Sequence, residues 1–252
     1  MSDRLTYTYT ILDVTGKRDA HERLPELIAA AVRVFTREGY RMARVSDVAA
    51  EMGLSEAAIY RYVGSKEGLF VLAIRHALLL EDLPAGDLPL SPAPLAATVV
   101  EARDLIAEVV PFSALAEALS GPGAGDTAAE FEKILRELFE LESRTREAAD
   151  MLERSARELP EMADLLNAGI RAPVLAALTE YLAARAEAGT LRRTPDTAAT
   201  ARLVLETLTW FARHRFSDPD GAAIPAGLAA DTAVDALVHA LVPASAVPAG
   251  AR

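Results

Sequence analysis

The stretch Val45-Ser-Asp-Val-Ala-Ala-Glu-Met-Gly-Leu-Ser-Glu-Ala-Ala-Ile-Tyr-Arg-Tyr-Val63 has the spacing of two short helices joined by a tight turn. Apolar residues recur at helical spacing in its first half, at Val45, Val48, Ala49 and Met52. Gly53 ends this helix, because glycine enters a left-handed cap without steric cost. Ser55 is a strong N-cap for the next helix. The pattern predicts a helix-turn-helix, a unit whose second helix enters the major groove of DNA.

The second helix of this unit has an inward and an outward face. Helical spacing places three residues inward, namely Ala58, Ile59 and Val63. It places four residues outward, namely Glu56, Ala57, Arg61 and Tyr62. Ser65 follows as a cap for a third helix, with Lys66 in the first turn of that helix.

Residues 24 to about 80 resemble the DNA-binding domain of the TetR family of bacterial transcriptional regulators. The family's ordered motifs are matched by Phe35-Thr-Arg-Glu-Gly39-Tyr40, Val45-Ser-Asp-Val48-Ala49, Gly53-Leu54-Ser55 and Ile59-Tyr60-Arg-Tyr-Val63-Gly-Ser-Lys66-Glu-Gly-Leu69. The resemblance covers roughly a quarter of the chain, and the order and spacing of the motifs make it specific.

The sequence departs from the family pattern at a few positions. Ala43 and Arg44 stand where a Thr or Ser usually caps the first helix of the motif, so a hydroxyl is exchanged for the Arg44 charge. Val63 replaces a phenylalanine, and Ala57 stands where many members have glycine. These changes alter backbone contacts and leave the expected fold intact.

The resemblance implies an all-α protein with an N-terminal three-helix helix-turn-helix domain and a larger C-terminal helical domain for ligand binding and dimerisation. A proline cluster between residues 84 and 94 marks the boundary. The expected parts are a flexible N-terminal arm over 1–20, the DNA-binding domain over 21–83, the C-terminal domain over 84–243 and a flexible tail over 244–252.

The resemblance also assigns roles on DNA. Tyr60 and Lys66 match family positions that hold the phosphate backbone, and such contacts position the protein without reading sequence. Base edges are the expected targets of Arg61 and Tyr62, together with Glu56 and Ala57 at the N-terminus of the helix. An arginine can pair with guanine, an alanine can touch a thymine methyl and a glutamate can accept from cytosine. A phosphate contact is the alternative for Arg61. The predicted DNA-contacting set is completed by Arg44 and Ser55.

The composition favours a helical protein whose acidic residues lie mostly outside the DNA-binding region. The 252 residues are 51% hydrophobic and 6% aromatic, and cysteine is absent, which excludes disulfides and thiolate metal sites. The net charge is −11. Residues 1–80 hold 11 Lys and Arg against 10 Asp and Glu, whereas the remainder holds 15 against 27. The basic residues near the motif are Arg33, Arg37, Arg41, Arg44, Arg61, Lys66 and Arg75. This asymmetry favours a DNA-facing head and an acidic body.

No secretory signal opens the sequence, and no uncharged apolar run of about 20 residues is long enough to span a membrane. A cytoplasmic protein without a membrane partner is therefore expected. Its histidines are scattered, and no nucleophile–base set is visible, so the sequence predicts no metal, no cofactor and no enzyme activity.

Beyond the boundary, helices are predicted over about 93–119, 127–155, 160–188, 195–216 and 228–242. An interruption of the 160–188 segment is expected near Pro173, because proline removes a helical hydrogen bond. Thr127 and Glu130 have the spacing of a capping box, and Thr194 precedes a proline as an N-cap does. By resemblance, the helices over 195–216 and 228–242 form a homodimer, which lets two heads read two half-sites. The alternative is that both helices only fill the core of the monomer.

The family's C-terminal domain usually holds a small-molecule effector. Candidate apolar contacts are Phe112, Phe139, Met151 and Trp210, and candidate polar contacts are Arg103, Glu108 and Asn167. Apolar residues at helical spacing are more often plain core, and polar ones are more often solvated, so these are the competing interpretations.

The sequence thus predicts a DNA-binding regulator, a ligand-responsive repressor that binds a palindromic double-stranded operator as a homodimer. Two alternatives stay open. One is a ligand- or partner-dependent activator, and the other is a small-molecule-binding helical protein that has lost DNA binding.

Overall fold

The computed structural model describes residues 22–79, 87–109, 113–121 and 125–243. The arm expected over 1–20 and the tail expected over 244–252 lie outside these residues. The α-helices of the described part are α1 (Leu24–Met42), α2 (Val45–Glu51), α3 (Glu56–Ile59), α4 (Lys66–Leu79), α5 (Leu95–Val109), α6 (Ser113–Ser120), α7 (Thr127–Arg144), α8 (Arg146–Ala156), α9 (Pro160–Asp164), α10 (Ala172–Glu187), α11 (Thr197–Ala212), α12 (Pro219–Ala222) and α13 (Ala226–Leu241). A π-helix spans Leu165–Arg171, and a 3₁₀-helix spans His214–Ser217. None of these helices is long and apolar enough to cross a membrane.

The chain forms two compact units. The first contains the described residues up to 104 together with 147–166, and the second contains those of 105–146 and from 167 onward. Contacts therefore place 147–166 with the helix-turn-helix, whereas the sequence predicts this segment as part of the C-terminal domain.

The first unit is built on α1 and α4, which pack against each other. Proline at the start of α1 costs no hydrogen bond there, because the first amides of a helix have no partner within it. The apolar stripe of α1 is fully buried, at Leu27, Ile28, Ala31, Val34 and Phe35. Phe70 of α4 meets two rings of α1, with ring centroids 4.9 Å from Phe35 and 4.7 Å from Tyr40.

The second unit has α11 at its centre, packed against α7, α10 and α13. Its core includes Phe131, Leu178, Tyr181, Val204 and Leu208. Arg185 of α10 reaches Glu130 of α7 and the carbonyl of Ala118 of α6 within this unit. Burial and the Glu130 carboxylate raise the pKa of the Tyr181 phenol, so the phenol stays a neutral donor to Glu130.

Several predicted helices are shorter than expected. The stretch 127–155 is interrupted at Thr145, whose φ of −92° and ψ of 10° leave the helical region. The expected interruption of 160–188 near Pro173 is confirmed, since a π-helix divides this stretch into α9 and α10 and Pro173 lies in the first turn of α10. The stretch 93–119 contains α5 and α6, and residues 110–112 between them lie outside the described part.

Both predicted caps in this half of the chain were wrong. Asp126 caps α7 by accepting from the amide of Ala129 at 3.0 Å, and Asp196 caps α11 by accepting from Ala199 at 2.7 Å. A carboxylate satisfies the free amides of a first turn and opposes the positive end of the helix dipole. In each case the N-cap is an aspartate one or two residues away from the threonine that was predicted.

Candidate DNA-binding interface

The turn between α2 and α3 has the predicted geometry. Gly53 adopts a φ of 63°, in the left-handed region that favours glycine. The amide of Leu54 donates to the carbonyl of Ala49 at 2.9 Å and closes the end of α2. The hydroxyl of Ser55 accepts from the amide of Ala58 at 3.3 Å and starts α3. The predicted stop and the predicted cap are both confirmed.

The start of α2 is held by a carboxylate. Asp47 accepts a hydrogen bond from the backbone amide of Arg44 at 2.9 Å. A guanidinium has no acceptor, so Arg44 cannot cap the helix with its side chain. Asp47 takes over the task of the hydroxyl that the family usually has here, and the exposed side chain of Arg44 is not used for it.

The outward face of α3 carries polar groups side by side. Glu56, Ala57, Tyr60 and Arg61 are exposed, and the Tyr60 hydroxyl lies 3.4 Å from Oε1 of Glu56. Ala58 and Ile59 are buried, as predicted. Because the polar groups project from a short helix anchored by buried neighbours, they are available to a partner in solution.

The prediction that Tyr62 points outward is wrong, because Tyr62 is only 7% exposed. The α-helix ends at Ile59, and the next amides bond three residues back, from Tyr62 to Ile59 at 2.8 Å. In such a tighter turn, residues three apart lie on the same side. Tyr62 therefore follows Ile59 inward and is removed from the set of base-reading residues.

Ser65 and Lys66 begin α4. The hydroxyl of Ser65 accepts from the amide of Gly68 at 3.0 Å, which confirms the predicted cap. Nζ of Lys66 donates to the carbonyl of Arg41 at 3.2 Å and lies 4.9 Å from the centroid of the Tyr40 ring. Burial lowers the pKa of the Lys66 ammonium, while nearby carboxylates oppose this shift.

Other cations near the motif are engaged in ion pairs. Arg33 and Arg37 both bind the carboxylate of Glu51, each at 2.9 Å. Burial raises the pKa of Glu51, but hydrogen bonds from the two arginines outweigh it and lower the pKa overall. Arg75 binds Glu101. The exposed cations on the helix-turn-helix itself are Arg44 and Arg61, a narrower set than the sequence suggested.

The predicted effector-binding residues are divided between the two units. Arg103 is exposed and Met151 is buried in the first unit. Asn167 is exposed, Phe139 is buried in the core and Trp210 is 36% exposed in the second unit. Phe112 and the side chain of Glu108 lie outside the described part. The effector-binding set stays a prediction.

Each of the two helices expected to form the dimer packs one face into the core of its own monomer. The apolar stripe of α13 is buried within the second unit, at Val234, Leu237 and Leu241. Large apolar side chains are nevertheless exposed on these helices, with Leu203 at 61%, Trp210 at 36% and Leu228 at 57%. The apolar stripe of α13 therefore packs in the core of the unit, and a different face of these helices is exposed.

Comparison with known proteins agrees with the described geometry. Residues 27–73 match the family of bacterial regulatory proteins known as the tetR family. The HTH-type transcriptional regulator HbdR of Aromatoleum sp. (strain CIB) is 31% identical over 65 residues. That alignment covers 26% of this chain and 28% of HbdR, so the likeness is confined to roughly a quarter of either protein.

Solved structures extend the likeness in fold to most of the chain. Apo AibR is 18% identical and superposes over 85% of this chain and 97% of its own, with a TM-score of 0.50. A TetR-like transcriptional regulator from Rhodococcus sp. RHA1 is 18% identical over 86% of this chain and 93% of its own, also with a TM-score of 0.50. The capped helix-turn-helix and the match over residues 27–73 identify this part of the chain as a DNA-binding domain similar to those of the TetR family, and the solved structures share the all-helical fold of the whole chain.

Proposed function

We propose that the protein is a ligand-responsive transcriptional repressor that binds a palindromic operator as a homodimer. The observation that carries the proposal is the exposed surface formed by Glu56 and Ala57 of α3, which Ser55 caps, and by Arg61 in the turn that follows α3. A recognition helix needs exposed residues of this kind, because it contacts base edges in the major groove, chiefly with residues near its N-terminus.

The chemistry of the exposed residues suits both parts of DNA recognition. Arg61 can donate two hydrogen bonds to a guanine, Glu56 can accept from a cytosine amine and Ala57 can touch a thymine methyl. Tyr60 and Lys66 can bind phosphate, through a hydroxyl and an ammonium group. Arg44, whose side chain is not needed to cap α2, adds a cation at the start of that helix.

A homodimer is part of the proposal, because one recognition helix contacts few base pairs and two half-sites need two heads. The exposed apolar side chains of α11 and α13 support these helices as the interface. Leu203 and Trp210 are seven residues apart on α11 and therefore lie on one face of it. Burying such side chains against a second copy would remove apolar area from water. By family resemblance, a small molecule bound by the C-terminal domain releases the operator, and its effect is limited by its differential affinity for the two states.

The test is fluorescence anisotropy of the purified protein on DNA fragments that tile the region upstream of its own gene, at several salt concentrations. Tight binding confined to one fragment, with an affinity that falls as salt rises, is the expected result. Equal weak binding to every fragment would lead to a selection from random sequences. Absence of a preferred sequence in both experiments would overturn the proposal.

A further inference from the structure

The segment 147–166 belongs to the first unit, although the chain on both sides of it belongs to the second. It reaches the C-terminal end of α1 through Glu158, whose Oε2 accepts from the backbone amide of Arg41 at 2.8 Å. The two residues are 117 positions apart in the sequence. This hydrogen bond ties the segment to the helix that leads into the helix-turn-helix.

Gly39 makes this approach possible. A Cβ atom at residue 39 would lie 2.3 Å from Oε1 of Glu158, so a side chain at this position would displace the Glu158 carboxylate from its present place. The φ of Gly39 is 79° and its ψ is 166°, a conformation available almost only to glycine. The kink that Gly39 introduces near the end of α1 therefore opens the space that the Glu158 carboxylate fills.

Arginines on both sides of this contact donate hydrogen bonds to backbone carbonyls on the other side. Arg154 donates from Nη2 to the carbonyl of Glu38 at 3.1 Å. Arg41 donates from Nη2 to the carbonyl of Glu158 at 3.2 Å. Together with the bond between the Glu158 carboxylate and the Arg41 amide, these bonds satisfy backbone groups at a helix end, where groups lack partners within the helix. A link through backbone groups fixes the position of the chain itself.

Arg41 also contacts α4. Its amide is held by Glu158, and its carbonyl accepts from Nζ of Lys66 at 3.2 Å. Lys66 is the first residue of α4 and one of the residues proposed to bind phosphate. One peptide segment therefore joins Glu158 to a proposed DNA contact.

The chain is irregular at both places where it passes from one unit to the other. Thr145, between α7 and α8, leaves the helical region. The π-helix Leu165–Arg171 lies between α9 and α10. π-Helical turns inside helices are rare and occur often at functional sites, and hinge motions are absorbed at the ends of elements. The segment is therefore flanked by an irregular stretch of chain at each of its two ends.

We propose that Glu158 and Arg154 are positioning residues that couple the second unit to the DNA-binding helices through the backbone of residues 38–41. The inference rests on the proposed function, because it names the contact through which that function is regulated. The coupling is reciprocal, so operator binding must also alter the segment and the hinge that follows it.

The first experiment uses the full-length protein without DNA and follows amide hydrogen exchange. In Glu158→Ala, the Arg41 amide is expected to exchange at least about tenfold faster than in the unaltered protein, because its acceptor is lost. Glu158→Gln keeps an acceptor oxygen and should restore most of the protection. Glu161→Gln is the matched control, since Glu161 is an exposed carboxylate of the same segment. Unchanged exchange at Arg41 in Glu158→Ala would overturn the link.

The second experiment adds operator DNA at saturation. In the unaltered protein and in Glu161→Gln, DNA should slow amide exchange across the π-helix Leu165–Arg171. In Glu158→Ala and Arg154→Ala, this slowing should be lost even with DNA bound. Slowing that persists in both variants would overturn the coupling. If the unaltered protein binds no operator, the proposed function fails, and the exchange at Arg41 without DNA still decides whether the link exists.

Discussion

Arg185 of α10 and Glu130 of α7 form a buried salt bridge, with Nε of Arg185 2.8 Å from Oε1 of Glu130 and the two side chains 10% and 12% exposed. Tyr181 donates to the same carboxylate at 3.1 Å, and Arg185 also donates to the carbonyl of Ala118 at 2.8 Å. The pair therefore joins α6, α7 and α10. Within this network every charge has a partner.

Arg185→Ala is expected to lower the free energy of unfolding by about 3–5 kcal/mol, because it leaves the Glu130 carboxylate buried without its cation. Urea denaturation measures the change. Lys133→Ala removes a cation from an exposed pair with Glu117 and should have a much smaller effect, because solvent screens exposed ion pairs. Equal effects of the two substitutions would contradict the special role of the buried pair.

Arg61→Ala is expected to weaken operator binding by about 1–3 kcal/mol and to relax the preference at one base position in each half-site. Anisotropy on a set of operators with single base changes measures this. Arg61→Lys keeps the charge but not the two-pronged geometry, so it should relax the same position. If Arg61→Ala weakens all operators equally and Arg61→Lys restores binding, Arg61 contacts phosphate.

Lys66→Ala is expected to weaken binding by the same factor on every DNA sequence and to reduce the salt slope by about one, because a phosphate contact is lost. The same titrations at several salt concentrations provide the measurement. Thermal unfolding of the variant is the control, since Nζ of Lys66 also binds the Arg41 carbonyl. A sequence-dependent loss would show that Lys66 does more than hold the backbone.

Glu137 should contribute to the free energy of unfolding, and this contribution should be lost at acidic pH. It accepts from the amide of Ser113 at 3.0 Å, from the Ser113 hydroxyl at 2.8 Å and from the amide of Ala114 at 2.8 Å. Burial raises the pKa of this carboxyl, but these hydrogen bonds outweigh burial and lower the pKa below its ordinary value of 4.5. The contribution is therefore complete above pH 4.5 and is lost as the pH falls through the lowered pKa.

Glu137→Gln should accordingly lower the free energy of unfolding by about 1 kcal/mol at neutral pH, with a difference from the unaltered protein that shrinks in acid. Urea titrations over a pH series measure it. Glu140→Gln, an exposed position on the same helix, provides the control. A difference that grows toward acid would contradict the assigned direction of the pKa shift.

Trp210→Glu is expected to raise the dissociation constant of the dimer by about thirtyfold or more, because a buried aromatic anchor typically contributes about 2 kcal/mol or more to an interface. Sedimentation over a range of concentrations provides the measurement. Val100→Glu introduces the same charge at an exposed apolar residue of α5 and should leave the dimer intact. An unaltered protein that is monomeric at all concentrations would rule out the dimer.

The helix-turn-helix could be predicted because its signals are local. Gly53 and Ser55 act within a few residues, through a backbone conformation and a hydrogen bond three positions away. Tyr62 could not be placed, because the end of α3 at Ile59 changes the periodicity on which the prediction depended. The prediction continued α-helical spacing past Ile59, where the chain instead forms a turn tighter than an α-helix.

The remaining differences come from partners that are distant in sequence. Glu130 has the spacing of a capping residue, yet it binds Arg185, 55 positions later, and Asp126 caps α7 instead. Glu158 binds a backbone amide, and backbone groups leave no signature in the identity of a residue. Gly39 was noted as part of a family motif, but its close approach to Glu158 became visible only in the structure.

The hydrogen bond between the Arg44 amide and Asp47 has a consequence for how operator affinity can change in this protein. Asp47 uses only the backbone of residue 44, and every amino acid except proline offers the same N–H. Folding therefore places little constraint on the side chain at this position. Mutation can add, remove or exchange a charge at the start of α2 while the helix still forms, so selection for new operators can act on residue 44 independently of stability.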